Sequence, residues 1–175
     1  MNLREPIAAV DSSLFRRVMS RFATGVTVIT AEAGGRVRGM TANAFMSGSL
    51  SPPLCLISIG RSARMHGHVS AAGHFGVNIL AEGQEALGTH FAGRSVDQVN
   101  VEFERVGKVP LLKHASAVIA AEIEARHDCG DHTLFVGRIL AMRDYDRAPL
   151  VYHGGRYGAF VSSAQQAGEP TIEFW

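Results

Sequence analysis

The sequence predicts a mainly β domain, an antiparallel β-barrel with peripheral helices. Three observations predict it. At least six segments carry β-branched runs or alternating apolar residues. Most are joined by short glycine-bearing turns and do not alternate regularly with helices, which favours hairpins over a doubly wound parallel sheet. The chain has 175 residues, 46% apolar and 19% charged, enough for one domain with a real core.

Residues 1–10 read as a flexible lead-in, 11–161 as the folded domain and 162–175 as a tail ending in Phe174 and Trp175. In "DSSLFRRVMSRFATG" (11–25), Leu14, Phe15, Val18, Met19 and Phe22 fall at helical spacing. Asp11, Ser12 or Ser13 caps its start and Gly25 lies past its end. "VTVITA" (26–31) is strand-like, and the glycine turn after it makes 26–41 a hairpin. "GMTANAFMSGSLSPPLCLISI" (39–59) begins as a strand, loosens around 47–53 and returns at 54–59; Pro52 and Pro53 mark an edge or a loop.

"RSARMHGHVSAAG" starts a helix capped by Ser62 and ending at Gly73. Residues 74–80 form a strand and 82–94 a short helix, while 95–114 read as irregular. Over 117–128, Ile119, Ala121, Ile123 and Ala125 alternate with Glu122, Glu124 and Arg126, the pattern of a half-exposed strand. "CGD" turns it, 132–143 returns, and 149–160 closes the domain.

Composition narrows the function classes. The formal charge is +1 and no Lys/Arg run exceeds two residues, which argues against nucleic-acid or membrane-surface binding by bulk electrostatics. Two distant cysteines, Cys55 and Cys129, make no disulfide framework, so a cytoplasmic, reducing compartment is expected. No signal peptide and no membrane-spanning apolar run is read. Neither GxGxxG after a strand nor GxxxxGK[ST] occurs, so any nucleotide must use other backbone amides.

Three stretches carry candidate chemistry. Thr41–Ser51 fits either an edge strand with a bulge or a shelf on which a flat heterocycle lies against main chain, with Thr41, Ser47 and Ser49 offering uncharged hydroxyls. "HDCGDH" (127–132) has no standard metal-ligand spacing and reads as a tight turn with Gly130 at positive φ and His132 pointing outward. "YHGGRYG" (152–158) is either a glycine turn or a place where cations meet a phosphate. Cys55, in an apolar strand, reads as inert core.

Six blocks in this order, "LFRRVMSRFATGVTVITA", the 39–59 stretch, "FGVNIL", "FAGRS", "GDHTLFVGRI" and "YHGGRYG", resemble the short-chain flavin reductases, the reductase components of two-component flavin-dependent monooxygenases. The similarity runs from about residue 12 to 160. It implies a Greek-key-like split β-barrel of the FMN-binding type, usually a homodimer, that binds FMN or FAD and uses NADH or NADPH. Reduced flavin would then diffuse to a partner monooxygenase.

By the same resemblance, Thr41, Ala42, Asn43 and Ala44 lie along the isoalloxazine, and Ser47, Ser49 and Leu50 continue that wall. Ser58, Ile59, Gly60, Arg61 and Ser62 reach the ribityl phosphate, and Phe91, Ala92, Gly93 and Arg94 close over the flavin tail. His132 contacts the nicotinamide, with His153, Arg156 and Tyr157 nearby. Gly48 departs from the valine often found there, and the tail beyond Phe160 has no counterpart.

The expected chemistry is hydride transfer between stacked rings, which requires no protein acid or base. The competing readings are an FMN-retaining oxidase of the pyridoxamine-phosphate type and a non-catalytic flavin- or haem-binding module.

Overall fold

The structure, a computed structural model, describes residues 10–161. The expected lead-in up to residue 9 and the tail 162–175 lie outside the described residues.

Helix α1 (Ser12–Met19) is capped by Asp11, whose carboxylate accepts from Leu14 N at 3.0 Å. It stops earlier than the sequence suggests, with Ser20 as its C-cap, and Gly25 is not its terminator. Thr24–Gly25 instead form β1. Strands β2 (Thr27–Ala33) and β3 (Arg36–Ala42) make the expected hairpin, with Thr27 opposite Ala42. β4 (Phe45–Leu50) and β5 (Pro53–Gly60) make the next. The chain does not loosen at Ser47: β4 continues to Leu50 with a register shift between Ser47 and Ser49, so it is a bulged edge strand.

Helix α2 (Arg64–Ala72) ends at Gly73 in the left-handed conformation. Its N-cap position is Ala63, with no side-chain cap, so Ser62 does not serve. β6 (His74–Ile79) and α3 (Glu85–Phe91) follow as expected. Within the stretch expected to be irregular lie two strands, β7 (Phe103–Val106) and β8 (Val109–Leu112), which pair with each other. The long hairpin β9 (Ala117–Cys129) and β10 (His132–Asp144) and the short hairpin β11 (Leu150–His153) and β12 (Arg156–Ala159) complete the domain.

Seven strands form one antiparallel sheet in the order β3-β2-β6-β9-β10-β5-β4. Its two edges, β3 and β4, are separated in sequence only by Asn43 and Ala44. Three Cα–Cα steps span at most about 11 Å, so the sheet must curl until its edges meet there. Ser58 N donates to Ala44 O at 3.0 Å, which carries the β4–β5 ladder on into that connection. The split barrel expected from the resemblance is therefore what the chain forms.

Side-chain alternation explains the apolar run of β2, which is covered on both faces. Ile29 faces the barrel interior with Ile57, Phe75 and Phe135, and Met65 and Val69 of α2 plug it. Val26 and Val28 face a second cluster with Leu80, Leu112 and Leu150, covered by Leu87, Phe91, Tyr152 and Tyr157. β8 is pinned by buried polar bonds: Asn78 Nδ2 donates to Val28 O at 2.7 Å, and Leu112 N donates to Asn78 Oδ1 at 2.6 Å. Among the described residues no helix is long and apolar enough to cross a membrane.

Candidate functional site

The end of β3 builds one wall of a 210 Å³ cavity. Thr41, Ala42 and Asn43 line it with Val26, Ala92, Tyr152 and Tyr157. Each wall is fixed by a specific contact. Thr41 Oγ1 donates to Gly88 O at 2.6 Å, tying the middle of α3 to β3. Close approach there requires glycine twice. A Cβ on Gly39 would lie 2.6 Å from Phe91 Cε1, and one on Gly88 would lie 2.8 Å from Tyr157 Oη. The aromatic wall is carried by the β11–β12 hairpin, where Tyr152 and Tyr157 meet edge-on at 5.7 Å. A relay of main-chain bonds ties that hairpin to the barrel: Val26 N to Leu150 O, Leu150 N to Leu80 O, and Leu80 N to Val26 O.

Asn43 also borders a 340 Å³ cavity with Phe22, Thr24, Phe45 and Ile79. The Thr24 hydroxyl there is buried and has no hydrogen-bond partner among the described residues. A buried hydroxyl left unpaired costs free energy, so a polar guest that pairs with it is favoured.

Beyond Ala92 the first cavity adjoins a 640 Å³ groove lined by Arg38, Met40, Arg64, Phe91, Ala92 and Gly93. The expected tail-closing residues Phe91, Ala92 and Gly93 therefore do sit together, between the neutral cavity and this groove. Arg94 follows as an exposed residue whose N–H donates to Thr89 O.

The other expected residues divide. Ser47, Ser49 and Leu50 do not share the Thr41–Asn43 cavity. They line an apolar 190 Å³ cavity at the other sheet edge with Cys55, Ile119 and Met142. Ile59 points into the barrel core. Burial pushes the Cys55 thiol up to about 11, which leaves it inert.

Gly60 pairs with His132 across β5 and β10, and the imidazole lies over it. Arg61 is committed to the β9–β10 turn. Its N–H donates to Asp131 O at 2.9 Å, its guanidinium donates to Gly130 O, and it stands 3.7 Å from Asp128. Ser62 is exposed.

Gly130 has the expected positive φ, +60°, and the turn presents His132 half-exposed. His132 Nδ1 lies 2.7 Å from Asp131 Oδ1. A carboxylate at Nδ1 holds the proton there and leaves Nε2 as the acceptor in the neutral ring. The hydrogen bond from His132, and then its charge, hold the Asp131 carboxyl below the usual range. His153 and Arg156 pair at the exposed tip of the β11–β12 hairpin, whereas Tyr157 reaches into the cavity.

Thr24, Arg38, Arg64 and Tyr152 were not legible as site residues. Arg38 and Arg64 lie on different elements, and no local spacing pairs them.

Comparison with known proteins adds four findings. A family profile described as "Flavin reductase like domain" matches residues 19–160. An NADH-dependent flavin reductase from Rhodococcus sp is 43% identical over 145 residues, covering 81% of this chain and 82% of its own. The reductase component of 4-hydroxyphenylacetate 3-monooxygenase from Thermus thermophilus is 40% identical over 148 residues, covering 84% and 95%. Among solved structures, "Flavin reductase PheA2 in native state" superposes with a TM-score of 0.84 at 43% identity, covering 87% of this chain and all of that one.

Proposed function

The chain belongs to the flavin reductase-like family, and from that premise we propose that it is an NAD(P)H-dependent flavin reductase, passing a hydride from NADH or NADPH to FMN or FAD. The observation that carries this reading is the neutral cavity at the β3–β4 seam. It is walled by Thr41, Ala42, Asn43, Ala92 and Tyr157, and beside it lies the unpaired Thr24 hydroxyl. Those features fit a planar ring with a polar edge: small side chains admit the ring face, and the orphan hydroxyl and Asn43 meet its heteroatoms.

The flavin, when bound, supplies the hydride acceptor and the nicotinamide the donor. The chain's own residues position and exclude. Ala42 and Ala92 leave room for a ring, and Tyr152 and Tyr157 wall it against water. Asn43 and Ala44, at the seam, continue this surface toward β4, whose outer edge carries unpaired main-chain groups as far as Ser47, Ser49 and Leu50. Ser58, bonded to Ala44 O, leads through Ile59 to Gly60 under His132, so the strand paired with β4 also carries the histidine's support.

His132 is assigned to the nicotinamide amide, with Nε2 as acceptor, and His153, Arg156 and Tyr157 to the same dinucleotide. Arg61 is assigned to holding the turn, and Ser62 and Arg94 to the flavin's phosphate end. No proton transfer by a side chain is needed.

The chain acts as a homodimer in this reading. Leu14, Phe15, Val18 and Met19 on α1, Phe22 just beyond it and Met46 on β4 are all exposed, an apolar surface that a second copy would bury. A partner monooxygenase takes the reduced flavin, as the relationship to a monooxygenase reductase component supports; in this reading the transfer is by diffusion and the compartment is the cytoplasm.

The test is to mix the protein with NADH or NADPH and each flavin and follow loss of nicotinamide absorbance. Turnover that requires both supports the proposal. Flavin that stays bound, is not reduced by either nicotinamide, and is reduced instead by an amine substrate and reoxidised by oxygen would make the chain an oxidase. Bound flavin with no nicotinamide consumption would make it a binding module.

A further inference from the structure

The barrel has two mouths, and among the described residues only one is plugged. Met65 and Val69 of α2 fill the interior beside Ile57 and Ile59, at the Gly60 end of β5. At the Pro53 end the packed interior stops at Cys55 and Ile119, and the 190 Å³ cavity begins there, bordered by Phe45, Leu50 and Met142.

The β4 bulge shapes this open mouth. The register shift between Ser47 and Ser49 takes Gly48 out of the ladder, and Ser47, Ser49 and Leu50 all border the cavity. No charged side chain lines it. The Ser49 hydroxyl accepts from Ser51 N at 3.2 Å, whereas the Ser47 hydroxyl has no hydrogen-bond partner among the described residues.

Size, charge and polarity together select the guest. Apolar cavities of about 150 Å³ stay dry and take a benzene-sized molecule. This one, at 190 Å³, holds a single six-membered ring and is too small for a tricyclic flavin or a dinucleotide. A charged guest would find no counter-ion on the lining. The free Ser47 hydroxyl offers a partner to one hydroxyl on the ring. Leu50 and Met142, 74% and 65% exposed, make a rim that includes a flexible thioether, so a guest can enter. The only ionisable group on the lining is the buried Cys55 thiol, so the guest is held and released unchanged.

One side chain connects this mouth to the flavin site. Phe45 borders it on one side and the 340 Å³ cavity of Thr24 on the other, and Asn43 joins that second cavity to the neutral one.

We propose that the open mouth of the barrel is an effector site for a small uncharged monocyclic aromatic, a phenol in class, whose occupancy tightens flavin binding by fixing Phe45. The binding stands apart from the flavin reductase reading, and the coupling rests on it.

The probes are phenol and benzoate, added to protein carrying 13C at the methionine methyls. The Met142 resonance is expected to move and saturate with phenol, at a dissociation constant of roughly 0.1–1 mM, and to stay in place with benzoate. Met142→Trp, at the exposed rim, fills the mouth and is expected to abolish phenol binding read from the ligand's own NMR signals. Saturating phenol is expected to lower the flavin dissociation constant about fivefold, read by fluorescence quenching, and saturating flavin to lower that of phenol by the same factor.

An equal response to benzoate, or none to phenol, would overturn the site. So would phenol that binds with Met142 unmoved, which would place it in the flavin cavity. A Met142 resonance that shifts with protein concentration and ignores phenol would give the mouth to a second copy. Flavin affinity unchanged at saturating phenol would overturn the coupling. Failure to bind any flavin while Met142 still answers phenol would overturn the proposed function and the coupling, and leave the aromatic site standing.

Discussion

The Thr41 hydroxyl donates to the Gly88 carbonyl at 2.6 Å, so the middle of α3 is latched to the strand that walls the neutral cavity. The hydroxyl is therefore spent on architecture rather than on the guest. Thr41→Val keeps the shape and removes the donor. It is expected to lower stability by about 1 kcal/mol in denaturant unfolding. It should also weaken flavin binding, because Ala92 follows directly on α3. Thr41→Ser should restore both. A Val variant that binds flavin like the wild type would disconnect the latch from the cavity.

Gly39 and Phe91 form the second contact of that latch. Gly39→Ala places a methyl 2.6 Å from Phe91 Cε1 and 3.2 Å from Val28 Cγ1. Val28 is fixed in the core, so Phe91 must move. A loss of about 1–3 kcal/mol is expected on thermal or chemical unfolding. Flavin affinity should fall with it, since Phe91 also lines the groove.

Arg61 works through the β9–β10 turn. Arg61→Met removes the bond to Gly130 O and the ion pair with Asp128 while the main-chain bond to Asp131 O stays. The expected signature is a raised KM for NADH with flavin affinity little changed, and partial rescue by Arg61→Lys. A loss of flavin affinity equal to the loss in NADH use would place Arg61 at the flavin phosphate.

His132 and Asp131 predict a pH dependence. The Asp131 carboxyl titrates below its ordinary value, because its charged form accepts from His132. The pair is therefore fully present above the ordinary carboxylate range and is lost as pH falls through the lowered value. NMR titration should find Asp131 ionised throughout the mildly acidic range, and His132→Ala should return it to ordinary behaviour. His132→Ala should also weaken NADH use far more than flavin binding; equal loss would remove the assigned role.

Gly48 stands where the resemblance leads one to expect valine. A Cβ there would lie 2.5 Å from Leu56 Cδ1, the end of a flexible side chain. Gly48→Val is expected to fold, with Leu56 shifted and a loss of about 1–3 kcal/mol read from chemical unfolding.

Much of the fold was legible because local and global demands agreed. β2 is apolar on both faces since both are covered, and Asp11 sits where a cap is needed. The β7–β8 hairpin was not legible, because Pro110 argues against a strand and what holds it is Asn78, reaching Leu112 N from 34 residues away. The site was half legible. Thr41 and Ser47 are close in sequence, but the chain crosses the seam between them from one sheet edge to the other, so they line different cavities. Arg38 and Arg64 meet only through the packing of α2 beside β3.

The most direct measurement is a crystal structure of the protein with its flavin. The isoalloxazine is predicted against Thr41, Ala42, Asn43 and Ala92, with Tyr157 walling it. A ring seated instead in the apolar cavity of Ser47, Ser49 and Met142, or elsewhere on the barrel, would contradict the account.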